Sequence, residues 1–140
     1  MIFSDTSVIV AGSTPSDPRH KACIELLAIA DTEGGACAAH SLAEVYSILS
    51  GRPLPLKMPP AIAWQIVHHT SERFKVVTLT TTEYLTAIEA LTKLGHSGGM
   101  IYDALLLACA RKVQATRIYT LNVKHFRQVA PDLADRIFEP

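Results

Sequence analysis

A chain of 140 residues is long enough for one domain with a substantial buried core, and 49% hydrophobic against 19% charged residues exclude an intrinsically disordered protein. Thirteen basic and thirteen acidic side chains leave no net charge at pH 7, so the molecule as a whole does not attract nucleic acid electrostatically. The apolar run 104–110 is too short for a bilayer, the first twelve residues do not resemble a signal peptide, and three cysteines without a CxxC spacing indicate neither a disulfide framework nor a zinc site. We therefore expect a single domain over 1–140, in the cytoplasm and without a membrane partner.

Strand-like and helix-like patterns alternate along the chain, and glycine or proline separates most of them. The predicted elements are, in chain order, a strand over 2–5 that ends in a turn, a helix over 19–30, a weak strand over 36–39, a helix over 41–49, a proline-rich connector over 52–60, a helix to about residue 73, a strand over 74–79, a helix over 82–94, a helix from Gly98 or Gly99 to Ala110, a strand over 117–121 and an edge strand over 136–138. Strands that alternate with helices form parallel sheets with helices on both faces. The predicted fold class is α/β, with a central, mostly parallel sheet flanked by helices.

Asp103 is the one acidic residue in the most apolar predicted helix. Its helical neighbours three and four positions away are Gly99, Met100, Leu106 and Leu107, so no local Lys or Arg can neutralise it. An ionised carboxylate in such a place costs several kcal/mol unless a partner offsets it. Two interpretations remain open: Asp103 lies in the first turn, where the helix dipole favours it, or it faces a cleft that binds a cation.

Four oxygen-bearing side chains are predicted to meet at one edge of the sheet. Ligands of parallel α/β folds bind beyond the carboxyl ends of the strands. Asp5 ends the first strand and Asn122 follows the strand over 117–121, so both project at that edge. Glu44 and Asp103 lie early in helices, which begin at the same edge.

Each of these residues also has a purely structural interpretation. Asp5 can cap a helix that begins near Ser7. The sequence SLAE, which ends at Glu44, matches a capping box, and Asn122 is a common turn residue. The functional interpretation therefore depends on the predicted fold.

The candidate ligands are hard oxygen donors without cysteines or histidines at metal-binding spacing, which favours magnesium or manganese over zinc. A carboxylate cluster around such an ion suits phosphoryl chemistry, in which the metal activates a water and stabilises charge on the phosphate. Neither a phosphate-binding glycine loop nor a serine nucleophile motif is present. Metal-dependent phosphodiester hydrolysis is the chemistry that remains.

Four segments resemble the PIN-domain ribonucleases of the VapC type, the toxins of bacterial and archaeal toxin–antitoxin pairs. They are DTSVIVAG from Asp5, SLAEVYSIL around Glu44, GGMIYDALLLACA around Asp103 and YTLNVKHF from Tyr119, and they occur in the family's order along nearly the whole chain. The last two are the most specific. The resemblance implies a PIN-like fold, a magnesium or manganese site, cleavage of RNA, a homodimer and inhibition by a cognate VapB-type antitoxin.

The resemblance also assigns roles to individual residues. Asp5 and Asp103 are expected to be the principal metal ligands, and Glu44 to complete the acidic cluster directly or through water. Ser7 and Thr120 match small polar positions that support the site by hydrogen bonding.

Asn122 departs from the Asp of many relatives. Its carbonyl oxygen can still reach a metal but brings no charge, so we expect one metal ion in the free protein and a second, if any, recruited by the substrate.

Lys124 and Arg127, from a segment without acids between Asp103 and Asp132, are candidates for holding the RNA backbone, as is Arg52. The commoner reason for such a basic segment is a solvated face.

An antitoxin would lay an amphipathic segment in an apolar groove, for which the proline-rich connector and the helix around residue 64 are candidate walls.

Three other functions compete for the same residues. A phosphatase or receiver-like domain needs a DxDxT signature or an acidic pair with a late lysine, which Asp5-Thr6-Ser7 does not provide. A catalytically silent PIN-like interaction module is conceivable because of Asn122, although the three acids argue against it. A PIN nuclease of RNA processing without an antitoxin also fits, and a small antitoxin reading frame beside the gene would decide between this and a toxin.

Overall fold

The computed structural model describes residues 1–140 and contains one five-stranded sheet. The strands are β1 (Ile2–Ser4), β2 (Gly35–Ala38), β3 (Lys75–Val77), β4 (Arg117–Tyr119) and β5 (Ile137–Phe138). The helices are α1 (Thr6–Gly12), α2 (His20–Glu33), α3 (Ala39–Gly51), α4 (Pro60–Arg73), α5 (Thr81–Lys93), α6 (Met100–Lys112) and α7 (Val123–Val129), and a 3₁₀ segment covers Pro131–Arg136. All neighbouring strands are parallel, in the order β3-β2-β1-β4-β5. The predicted α/β fold with a parallel sheet flanked by helices is confirmed.

Side chains that alternate along the strands divide the core into two layers. Phe3 and Ile118 belong to the layer that contains α6 and α7, whereas Ile2 and Cys37 belong to the layer that contains α1 to α4. Helix α6 packs on β2 and is flanked by α5 and α7, which explains why apolar residues occur all round it. No helix of the fold combines the length and the hydropathy that crossing a bilayer requires.

The chain enters a helix directly after β1, and the predicted turn there is wrong. Residues 6–12 form α1, although Val8 and Ile9 favour strands by propensity. Both side chains are buried in the core, where α1 packs against α2 and α3. Tertiary burial therefore overrides the local preference.

Helix α7 is a second difference, because the periodicity predicts no helix between the strands at 117–121 and 136–138. Within this seven-residue helix, Phe126 and Val129 are the buried residues. A helix with one apolar pair at i and i+3 gives little periodic signal. The strand before it ends at Tyr119, two residues earlier than predicted.

Candidate active site

Asp5, Glu44, Asp103 and Asn122 line one pocket of about 340 Å³ beyond the carboxyl ends of the central strands. Asp5 follows β1 directly, and Asn122 precedes α7 on the chain that leaves β4. Glu44 projects from α3 and Asp103 from the first turn of α6. The structure thus brings together the four side chains that the sequence singled out.

Asp5 is almost completely buried and is held by two hydroxyl groups. The residue is 4% exposed, and its Oδ2 atom accepts hydrogen bonds from Ser7 Oγ at 2.5 Å and Thr120 Oγ1 at 2.8 Å. Asp5 occupies the N-cap position of α1, but its side chain makes no capping bond. Burial raises the pKa of Asp5 above its ordinary value, and the two hydroxyl donors act in the opposite direction.

The two hydroxyl groups connect Asp5 to the segment after β4. Ser7 Oγ accepts a hydrogen bond from the backbone N–H of Leu121 at 3.0 Å, and Thr120 Oγ1 accepts one from the backbone N–H of Asn122 at 3.0 Å. Because each hydroxyl oxygen accepts from the backbone, its own proton is directed to Asp5. Both hydroxyl groups bind Oδ2 of Asp5, and neither binds Oδ1.

Glu44 is held by α1 and by its own helix. Its Oε2 accepts a hydrogen bond from Thr6 Oγ1 at 2.6 Å, and its Oε1 lies 2.9 Å from His40 Nε2. The capping-box interpretation of SLAE is wrong, because α3 begins at Ala39 and has no side-chain cap. Glu44 is therefore free of the helix terminus and faces the pocket.

Asp103 satisfies both interpretations that the sequence left open. It lies in the first turn of α6, and it lines the pocket. Burial raises the pKa of Asp103 to about 6, with a further contribution from the negative charges of Asp5 and Glu44 that His125 opposes. The carboxylates of the pocket are therefore close enough to repel one another.

The donor set of the pocket fits a hard divalent cation. No Lys or Arg forms an ion pair with Asp5, Glu44 or Asp103. No group of three His, Cys, Asp or Glu side chains is placed to hold one ion, and both oxygens of Glu44 are already engaged. Mg²⁺ is commonly bound by one or two carboxylates and several waters, so the arrangement suits an ion held by Asp5 and Asp103, with Glu44 acting through water.

The candidate RNA-binding residues lie outside this pocket. Arg52 Nη2 donates to Thr14 Oγ1 at 3.1 Å, and Arg127 Nη2 donates to the carbonyl oxygen of Ile137 at 2.8 Å. Lys124 is exposed on α7 and has no ion-pair partner. The other basic residues of the segment form surface ion pairs, namely Arg111 with Asp132, Lys112 with Glu83 and Arg117 with Glu33.

Five further residues of the pocket are not among the site residues that the sequence predicted. Thr6, Ser47, Ile48, Tyr102 and Leu106 also line the cavity. Helical spacing could have found two of them, because positions three and four after Glu44 lie on the same face of α3. Tyr102 is marked only by its position next to an acidic residue.

We expect replacement of Thr120 by Val to weaken Mn²⁺ binding about 10- to 100-fold, the usual cost of removing a group that orients a metal ligand. Thr120 is fully buried, and Val keeps its shape but removes the hydroxyl shared by Asp5 and the N–H of Asn122. Isothermal titration calorimetry measures the change. Thr92→Val is the matched control, since its hydroxyl is exposed and bonds only the carbonyl of Ile88. Equal affinities for both variants would contradict the role of Thr120.

Comparison with known proteins finds a matching domain family and two related ribonucleases. The sequence model of the PIN domain matches residues 2–131. Ribonuclease VapC40 of Mycobacterium tuberculosis is 32% identical over 107 residues, which are 76% of this chain and 75% of that protein. Ribonuclease VapC27 of the same species is 32% identical over 114 residues, 79% of this chain and 77% of that protein.

Two crystal structures share the fold. VapC20 of M. tuberculosis, described as a sarcin–ricin loop cleaving toxin, superimposes with a TM-score of 0.72 at 23% identity and covers 89% of this chain and 92% of its own. VapBC2 of Rickettsia felis, bound to a DNA fragment from its promoter, gives a TM-score of 0.69 at 18% identity, with 99% and 98% covered. At these sequence identities the structural similarity supports the fold alone.

Proposed function

The chain belongs to the PIN-domain family as a VapC-type ribonuclease, and from this premise we propose that it hydrolyses RNA phosphodiester bonds with Mg²⁺ or Mn²⁺ as its cofactor. We further propose that residues 1–140 act as one PIN-like domain and form the toxin of a VapBC-type pair. The observation that carries the chemistry is the pocket in which Asp5, Glu44, Asp103 and Asn122 meet without a Lys or Arg ion-pair partner.

In this proposal Asp5 and Asp103 hold the cation, Glu44 binds it through water, and Asn122 offers its amide oxygen. When bound, a divalent ion would activate water and neutralise charge on the phosphate. Ser7 and Thr120 fix the carboxylate of Asp5 by hydrogen bonds. Thr6 and His40 hold the carboxylate of Glu44 at the pocket wall. In this position Glu44 acts as the general base and takes the proton of the attacking water.

The RNA backbone needs cationic contacts outside the acidic pocket, which repels phosphate. We propose Lys124, Arg127 and Arg52 for this role. Lys124 is the best placed of the three, since it is exposed and unpaired on α7, the helix that follows Asn122. Arg127 and Arg52 would have to exchange their present hydrogen bonds for phosphate contacts.

The decisive experiment is cleavage of a mixed RNA pool by the purified protein. We expect cleavage with Mg²⁺ or Mn²⁺, none with EDTA, and recovery when the metal is restored, because three acidic side chains around one pocket bind phosphate poorly without a cation. The same EDTA-insensitive background over many RNAs, without bound metal, would instead favour a catalytically silent interaction module.

For the antitoxin we propose a groove between α2 and α4 as the docking site. Its cavity of about 480 Å³ is lined by apolar side chains that include Ile24, Leu27, Ile62 and Ile66. Ile24 and Ile62 are 47% and 43% exposed, as expected of a surface that receives an amphipathic helix. Trp64 does not line this cavity. It is 58% exposed on the other side of α4, where its ring packs against His68. A small reading frame beside the gene, with a product that co-purifies with this protein, would separate a toxin from a nuclease of RNA processing.

A homodimer is part of the same proposal. Helix α5 exposes three large apolar side chains, Tyr84, Leu85 and Ile88, which are 39%, 62% and 45% exposed. Contiguous exposed apolar side chains commonly mark an interface. Sedimentation equilibrium of the purified protein measures whether it is dimeric.

A further inference from the structure

Tyr102 is an exposed aromatic side chain at the acidic pocket. It directly precedes Asp103 on α6, lines the cavity and is 50% exposed. It belongs to neither layer of the core, whereas Leu106, one turn further along α6, is buried. Packing of the fold therefore does not require an aromatic ring at this position.

The ring of Tyr102 is held in a fixed plane by His40. The two rings are parallel to within 1°, and their centroids are 5.5 Å apart, which is an offset stack. His40 Nε2 in turn lies 2.9 Å from Glu44 Oε1. The stack thus joins α3 to α6 beside the pocket, and His40 connects the tyrosine to the carboxylate of Glu44.

His40 covers one face of the Tyr102 ring, and half of the surface of the tyrosine remains exposed. Ile48, 40% exposed, lines the same pocket and adds apolar surface. An acidic pocket that receives a phosphate diester places the flanking nucleotides beside it, and single-stranded RNA is commonly bound by stacking its bases on aromatic side chains.

We propose that Tyr102 stacks on one base of the RNA substrate next to the scissile phosphate, while His40 contacts the other face of its ring. This inference rests on the proposed ribonuclease function. Every base has a π-face, so the stack fixes the position of the strand in the pocket and tolerates different bases. The expected ligand is an unpaired nucleotide, because a base in a duplex has no free face.

A purely structural role for the His40–Tyr102 stack makes a different prediction. If the stack only packed α3 against α6, its loss would displace Glu44 or Asp103 and lower kcat. Loss of a contact that is equally strong in the bound substrate and in the transition state raises KM and leaves kcat unchanged. The kinetic constants therefore distinguish a substrate contact from a packing contact.

The test uses a single-stranded RNA oligonucleotide whose cleavage position has been mapped with the wild-type protein and Mn²⁺. We expect Tyr102→Ala and Tyr102→Leu to raise KM about 10-fold with kcat unchanged, and Tyr102→Phe and Tyr102→Trp to stay within about 2-fold of the wild type. The Leu variant keeps apolar bulk against His40, so it guards against a folding defect in the Ala variant. Tyr46→Ala is the control, because Tyr46 is 40% exposed on α3 and does not line the pocket.

Abasic substrates then locate the contact. With an abasic ribose placed in turn at each position around the cleavage site, we expect the wild type to lose about 10-fold in kcat/KM at one adjacent position, and Tyr102→Ala to lose nothing further there. Equal losses in both proteins, or a fall in kcat rather than a rise in KM, would overturn the stacking role. If metal-dependent cleavage by the wild type is intact and the Tyr102 variants match it, the stacking proposal alone fails. If the wild type cleaves no RNA, the proposed function fails with it.

Discussion

Asp103→Asn is expected to lower RNA cleavage about 1,000-fold and, at the same time, to stabilise the metal-free protein at pH 7 by about 1–2 kcal/mol. The loss of activity follows because the variant replaces one of the two proposed metal-binding carboxylates with a neutral amide, and so removes a negative charge that the cation requires. The gain in stability follows because the same charge is unfavourable when no cation is bound. A residue kept only for its place in the first turn of α6 would not give effects of opposite sign.

The stability effect has a defined pH dependence. Burial and the negative charges of Asp5 and Glu44 raise the pKa of Asp103 from 3.8 to about 6. Between these values the folded protein binds a proton that the unfolded chain has released, so the stabilising contribution is complete below about pH 4 and is lost as the pH rises through 6. Solvent screening of a half-buried group reduces the contribution to about 1–2 kcal/mol.

Urea denaturation in EDTA between pH 4 and pH 8 measures this difference. We expect the free energy of unfolding of the wild type to fall relative to that of Asp103→Asn across the interval from about pH 4 to pH 6, with the two curves parallel above it. Asp135→Asn is the control, because Asp135 is exposed and forms no ion pair. A difference in the free energy of unfolding that is constant at every pH, or the same pH dependence for the control, would show that the charge of Asp103 does not destabilise the metal-free protein.

The convergence of the site could be predicted from the sequence because it depends on topology. Asp5 and Asn122 come after parallel neighbouring strands, and the residues after such strands lie at the same edge of a sheet. Asp103 could be recognised because it is the one acidic residue in the most apolar predicted helix. These inferences need the order and direction of the elements and not their exact ends.

The hydrogen-bond partners in the site could not be predicted from the sequence. They depend on the residues at which helices begin, and tertiary contacts determine those residues. Strand β2 still pairs with β3 at Ala38, and the chain continues into α3 at the next residue, so SLAE lies inside the helix and Glu44 is free to bind Thr6. The same kind of motif does form a capping box where a loop precedes the helix, with Thr80 Oγ1 accepting from the N–H of Glu83 at 3.2 Å.

Helix α7 matters for function because it follows Asn122 directly. Its first helical hydrogen bond runs from the N–H of Phe126 to the carbonyl oxygen of Asn122, at 3.1 Å. Phe126 is fully buried, and α7 packs on α6 and β5. The side chain of Phe126 therefore anchors the segment whose backbone binds the hydroxyl of Thr120.

Phe126→Ala is expected to lower the free energy of unfolding by about 3–5 kcal/mol, because it removes a buried ring and leaves a cavity that the neighbouring elements fill only in part. That is a large fraction of the roughly 5–15 kcal/mol that stabilises a typical domain. Phe138→Ala is the control: the residue is 40% exposed on the edge strand β5, so the loss of its ring should cost only about 1–2 kcal/mol. Urea denaturation of the metal-free proteins measures both. Equal losses in the two variants would mean that α7 is not anchored through Phe126, and Asn122 would then have to be held by the contacts around Thr120 alone.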